Sequence, residues 1–126
     1  MRSLGFISEW VLWYYAFLTK AIAMENQLSN FLYTSRLAPH FPLTGVAQIV
    51  KQARELNAIR GITGILMFDG ENFSQYIEGP TDAIRALEKS LIADDRHTNF
   101  DVRAKSDDLT LRRFKSWSMG FVDSGE

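Results

Sequence analysis

The sequence predicts an α+β fold, a single sheet with two helices on one face, and three observations predict it. Stretches of period-two alternation, rich in β-branched and aromatic residues, recur at residues 28–35, 62–68, 73–78, 99–106 and 116–122. Two segments between them, 46–61 and 80–92, carry apolar residues at helical spacing. Turn formers stand at the joints: Gly61, Asp69–Gly70 and Pro80. At 126 residues the chain is long enough for one domain with a real core, and its 46% hydrophobic and 23% charged content is ordinary for a globular protein.

Ahead of this pattern, "LGFISEWVLWYYAFLTKAIAM" (4–24) holds two of the three tryptophans and is apolar on nearly every side, Glu9, Thr19 and Lys20 being the main exceptions. The stretch approaches the ~20 residues of a membrane span, and Ala21–Ala23 resembles a signal-peptidase site. Glu9 inside the apolar run, and Arg2 as the sole basic residue before it, argue against both. The expectation is a helix over residues 4–22 of a cytoplasmic protein, with membrane association through 4–24 left open. "MENQLSNFLYTS" then looks like a natural protein start, so the chain divides into an apolar extension, 1–24, and a domain, 25–126.

The first strand, "LSNFLYTS" (28–35), points Phe31, Tyr33 and Ser35 to one face. A loop with two prolines (36–45) leads to the first helix of the domain (46–61), whose stripe is Val46, Ile49, Val50, Ala53, Leu56 and Asn57, with Gly61 placed to end it. "ITGILMF" (62–68) is a strand, and Asp69–Gly70 signals a two-residue hairpin turn. In "GENFSQYIEGP" (70–80) alternation puts Phe73, Gln75 and Ile77 on the core side. "PTDAIRALEKSLI" (80–92) is a helix with Pro80 in its first turn and Ile84, Leu87 and Leu91 inward. Of the two last strands, 116–122 carries Trp117, Met119 and Phe121 on one face.

The order β-α-β-β-α-β-β is ferredoxin-like with an extra strand. Both domain helices use one face of the sheet, leaving Leu32, Ile65, Met67 and Tyr76 on the other. A helix over 4–22 would be about 28 Å long, and five strands span roughly 20–24 Å. The N-terminal helix is therefore expected to lie across that outer face, of its own subunit or a neighbour's, buried partly by dimerisation.

Two uncharged amides point to the core, Gln75 from a strand and Asn57 from a helix. With Asp69–Gly70 as the turn, Leu66 is expected opposite Phe73, Gly64 opposite Gln75, and Ile62 opposite Ile77. Gly64 would then leave a gap beside Gln75. A pocket walled by Ile49, Leu66 and Phe73, and holding Tyr33, Asn57 and Gln75, would suit a flat heteroaromatic ligand with donors and acceptors on its edge. Taken singly, a buried amide is more often satisfied by backbone or water, a strand tyrosine is more often core, and Gly64 could be a bulge.

Other chemistry finds little support. Basic and acidic side chains, 14 against 15, give a net charge of −1 and no footprint for nucleic acid. The chain has no cysteine, which excludes disulfides, thiolate catalysis and zinc held by sulfur. "GITG" lacks the lysine and length of a phosphate loop, and neither His40 nor His97 has a second histidine at metal-ligand spacing, so no metal is expected. A ferredoxin-like small-ligand binder or enzyme, and an interaction module with structural amides, remain alternatives on these residues.

The segments "LYTS", "ARELNAIRGITGIL", "FDGENFSQYIEGP", "DDRHTN" and "RRFKSWSMGF" together resemble the BLUF domain, the blue-light sensor using FAD, in order from about Leu28 to Val122. The resemblance implies non-covalent FAD, with FMN the lesser choice, and a photosensor rather than an enzyme. It implies that Gln75 is the switch glutamine between the flavin N5/C4=O edge and a tyrosine, and that Tyr33 is that tyrosine, donor of an electron and a proton. Asn57 would bond the flavin carbonyl edge, and Ile49 and Leu91 would sandwich the ring. Asp94, Arg96 and His97 would lie near its pyrimidine side, and Trp117 and Met119 would form the last-strand pair linked to signal output. Leu56 departs from the pattern, where family members often carry a polar or basic residue. With no effector segment after the last strand, output is expected through a separate protein or self-association.

Overall fold

The computed structural model describes residues 8–25 and 27–121. The elements run α1 (Glu9–Glu25), β1 (Leu28–Leu37), α2 (Val46–Arg60), β2 (Thr63–Phe68), β3 (Asn72–Pro80), α3 (Thr81–Ala93), β4 (His97–Leu109) and β5 (Trp117–Phe121), with a short 3-10 turn, Leu43–Gly45, leading into α2. The five strands form one sheet in the order β4-β1-β3-β2-β5. Its first four strands pair antiparallel, and β5 is added parallel to β2. This is the ferredoxin-like α+β layout with an extra edge strand.

Alternation decides which side is the core. Phe31, Tyr33 and Ser35 of β1, Leu66 and Phe68 of β2, and Phe73, Gln75 and Ile77 of β3 are all buried, as the period of two requires of one sheet face. Val46, Val50 and Asn57 of α2 and Ile84 of α3 are buried with them. Leu56, expected in the buried stripe, is 47% exposed. Gly61 ends α2 in the left-handed conformation (φ 71°), and the next residue, Ile62, donates its N–H to Asn57 O at 2.8 Å. Pro80 closes β3 and stands just before α3 rather than in its first turn.

Register corrects one expectation. Gln75 sits opposite Leu66, Gly64 opposite Ile77, and Phe68 opposite Phe73. The turn is centred on Gly70–Glu71, because the Asp69 carboxylate accepts the N–H groups of Glu71 (2.9 Å) and Asn72 (2.6 Å) while Asp69 N–H bonds Asn72 O. Gly70, with φ 97°, takes the first central position that a type II′ turn reserves for glycine. Moving the turn by one residue moves each pairing by two, so every side chain keeps its face. The fourth strand also begins earlier than its alternation suggested, at His97, since Asn99 interrupts the pattern with a left-handed φ of 56°.

The N-terminal helix exists but does not close over its own sheet. Trp10, Trp13 and Tyr15 are 65–70% exposed, and Leu12, Tyr14 and Phe17 exceed 50%. A helix apolar on all sides offers no single stripe for a sheet to cover. The expected start at residue 4 lies outside the described residues, and no described helix is long and apolar enough to cross a membrane.

Candidate functional site

Between the inner sheet face and the two domain helices lies a cavity of about 240 Å³. Tyr33, Phe73, Gln75, Leu66 and Trp117 reach it from the sheet, Ile49 and Asn57 from α2, Leu91 from α3, and Asp94, Arg96 and His97 from the segment after α3. Eleven of the twelve residues singled out from sequence therefore meet in one place. Met119 does not line the cavity; it packs half-buried against the core beside Leu66. A wider, shallower groove of about 730 Å³ at the hairpin end of the sheet has both its arginines already paired, Arg36 with Glu71 and Arg103 with Asp101.

Sheet register explains how the polar groups converge. Tyr33, Gln75, Leu66 and Met119 form one row across four strands, and Phe31, Ile77, Gly64 and Trp117 form the next. The position without a side chain, Gly64, thus stands beside Trp117 rather than beside Gln75. Tyr33 donates its hydroxyl proton to Gln75 Oε1 at 2.6 Å. Burial holds the Tyr33 phenol well above its ordinary pKa, and the negative charge of Asp94 adds to the rise.

The other end of Gln75 is unpaired. Its Nε2, like the whole side-chain amide of Asn57, makes no hydrogen bond to any described residue, although the two residues are only 5% and 4% exposed. Trp117 is 6% exposed, and its buried Nε1–H also has no partner. An indole N–H left so costs about 1–3 kcal/mol. The polar groups of Gln75, Asn57 and Trp117 around one cavity, between the apolar walls Ile49 and Leu91, fit a flat ring that is apolar on its faces and polar along its edge. A flavin ring has those properties, and the cavity of about 240 Å³ lies just under the ~300–1,000 Å³ of ordinary ligand sites.

The rim is polar and internally braced. Asp94 takes Arg96 Nε at 2.9 Å and Nη2 at 2.6 Å, which holds its carboxyl below the usual carboxylate range and raises the guanidinium in turn. His97 bridges β1 and α3: Nε2 donates to Leu91 O at 2.6 Å and Nδ1 meets Ser35 Oγ at 2.8 Å. Gln52, Arg60 and Ser90 also reach the cavity, and the sequence reading missed them. The signal was available, since each lies three residues beyond an inward residue (Ile49, Asn57 and Leu87) and so on the same helix face. Among the described residues no group of side chains could hold a metal ion.

Fold and cavity together define a ferredoxin-like sheet whose cavity fits a flat heteroaromatic group. The family described as "BLUF: Sensors of blue-light using FAD" matches residues 28–120. The chain belongs to this family of blue-light sensors. It is 30% identical over 96 residues to the blue light- and temperature-regulated antirepressor BluF of Escherichia coli (strain K12), covering 76% of this chain and 24% of that protein. The dark-state structure of BlrB, a BLUF protein, is similar at 36% identity and a TM-score of 0.69, covering 79% of this chain and 74% of that one. Klebsiella pneumoniae BlrP1 is similar at 32% identity and a TM-score of 0.68, over 76% of this chain and 24% of that one. A bacterial light-regulated adenylyl cyclase is similar at 30% identity and a TM-score of 0.70, over 79% and 29%. The chain thus spans about a quarter of the antirepressor's length.

Proposed function

We propose that this chain is a blue-light photoreceptor that holds a flavin without a covalent bond and signals through its Tyr33–Gln75 hydrogen bond. The observation that carries this reading is the 2.6 Å contact from the Tyr33 hydroxyl to Gln75 Oε1 in a cavity where Gln75 Nε2 is free. FAD is preferred over FMN on the family's description. Ile49 and Leu91 would face the ring, Asn57 and Gln75 would meet its polar edge, and Arg60, Gln52 and Ser90 would serve the rest of the cofactor from the rim.

When bound, the flavin would supply the absorption of blue light and an excited-state oxidant. The residues of the chain do the rest. A phenol whose pKa is raised by burial keeps its proton in the ground state, so Tyr33 releases it only on losing an electron, and the one acceptor at hand is Gln75 Oε1. Once the electron and a proton have returned to Tyr33, an amide that has taken part in this transfer can be left rotated or as its imidic-acid tautomer, exchanging the donating and accepting ends it turns to the cavity. Trp117 lines the same cavity and Met119 is in the row of Gln75, so a changed amide has neighbours on β5 to bias.

Absorption spectra before and after blue light test this directly. The expected result is an oxidised-flavin band that shifts to longer wavelength, keeps its shape and returns in the dark. A colourless protein that ignores added FAD would overturn the reading. A bleached, adduct-like spectrum would contradict the mechanism, because the chain has no cysteine.

Output would pass to another protein, as the name of the antirepressor relative suggests, or between copies of this chain. The exposed aromatic side chains of α1 favour self-association, since monomers rarely leave contiguous apolar patches of this kind open. Light scattering is expected to give the full chain a mass of a dimer or more. Starting the protein at Met24 should return it to monomer with an unchanged flavin spectrum, as no described α1 residue lines the cavity. A monomeric full chain would show that α1 joins nothing.

A further inference from the structure

One fully buried carboxylate has no part in the cavity. Glu78 lies three residues beyond Gln75 on β3, on the opposite sheet face, where alternation alone would put it in solvent. Its oxygens accept the N–H of Arg113 at 2.8 Å, the N–H of Phe114 at 2.7 Å, the Tyr76 hydroxyl at 2.9 Å and the Thr63 hydroxyl at 3.3 Å. Two of these donors are backbone groups of the segment joining β4 to β5, which runs straight into Trp117.

Neighbouring contacts tighten the same grip. The Phe114 ring packs on Tyr76 with centroids 5.7 Å apart, and the Arg113 guanidinium lies 5.8 Å over the Tyr76 ring. Arg112 Nη1 donates to Thr63 Oγ1 at 2.9 Å, and Gly64 N–H bonds Ser116 O at 3.1 Å. Every one of these contacts ties residues 112–116 to β2 or β3.

The indole needs such an anchor. The strand that carries Trp117 is an edge strand, paired only with β2. Its Nε1–H is buried with its hydrogen bond unmade, which favours departure to water, and the Arg54 guanidinium 5.8 Å over the ring is an exposed partner. The buried place of Trp117 is therefore one that nearby structure must hold.

We propose that Glu78 is a positioning residue: by gripping residues 113 and 114 from the outer face, it fixes β5 so that Trp117 stays in the cavity wall. A carboxylate suits the task because it only accepts, and all four partners donate. Its link to light rests on the photoreceptor reading; its hold on Trp117 in the dark does not.

The test uses the full chain with Trp10→Phe and Trp13→Phe, so that Trp117 is the sole indole. Glu78→Gln keeps the size and turns an N–H donor toward N–H donors. Flavin is added, and acrylamide quenching of Trp117 is measured in the dark, followed by the rate of dark recovery after blue light. Glu78→Gln is expected to raise the quenching constant severalfold and to change the recovery rate, with flavin loading kept. A folded, loaded variant with unchanged quenching and recovery would make Glu78 merely structural and overturn the proposal. Should Glu78→Gln not fold, Tyr76→Phe removes one donor and leaves the carboxylate; a smaller rise in quenching supports the anchor, and none overturns it. Loss of the red shift in the parent would defeat the photoreceptor reading while the dark quenching still decides Glu78.

Discussion

Gln75→Leu is expected to bind flavin and to show no red-shifted state at all. Leucine keeps roughly the volume of glutamine but removes Oε1, which accepts the Tyr33 hydroxyl at 2.6 Å, and Nε2, the end free to face the ligand. Binding survives because the walls, Ile49, Leu66, Phe73 and Leu91, are untouched. Tyr33→Phe should give the same photochemical result by another route, keeping the ring packing on Phe100 at 4.7 Å and losing only the donor. Raising the pH is no substitute for that variant, since burial holds the phenol protonated beyond its ordinary range. Spectra of both variants, loaded to the same flavin content and illuminated, check the prediction. A parent-like photocycle in Gln75→Leu would remove this residue from the mechanism.

How much of this was legible in sequence depends on which symmetry protected each inference. Alternation placed Tyr33, Gln75, Trp117 and Met119 on the core side, and a two-residue slip of register leaves such an assignment intact. The turn centre had no such protection. Asp69 is as good a first turn residue as it is a cap for the N–H groups of Glu71 and Asn72, and only the folded chain shows the carboxylate taking the second role. The gap at Gly64 was foreseen on the right face but beside the wrong neighbour for that reason.

Glu78 was illegible for a different cause. Its alternation puts it outward, and what buries it is a loop some 35 residues later in the chain, brought back by the pairing of β5 with β2. Local pattern cannot report a cover supplied from so far away. Gln52, Arg60 and Ser90 are a milder case: polar residues on the edge of an apolar stripe read as solvated until a cavity opens beneath them. For α1 the sequence announced apolarity without a stripe, and a helix of that kind is legible as needing cover but not as to what supplies it.

Gly64→Ala is expected to be the most damaging small change in the sheet. Gly64 holds a φ of 148°, and a Cβ built there would stand 2.0 Å from Tyr76 O and 3.0 Å from Ile77 Cα. Those are backbone atoms of a central strand whose Ile77 is 0% exposed and pairs with Phe31 on its far side, so they cannot step back. Strain of this kind is of order 1–3 kcal/mol, and overpacking adds about 1–3 kcal/mol more. A domain has only about 5–15 kcal/mol in total. The melting temperature should fall by at least about 10 °C, or the protein should fail to accumulate. Gly70→Ala supplies the control: it too has a left-handed φ, 97°, but nothing lies within 4 Å of its added Cβ, so it should lose only the conformational share. Equal losses at the two positions would show that the close approach of β2 and β3 is not what demands glycine. A larger loss at Gly64 should bring weaker flavin loading with it, because Gly64 N–H also holds Ser116 O and so the start of the strand bearing Trp117.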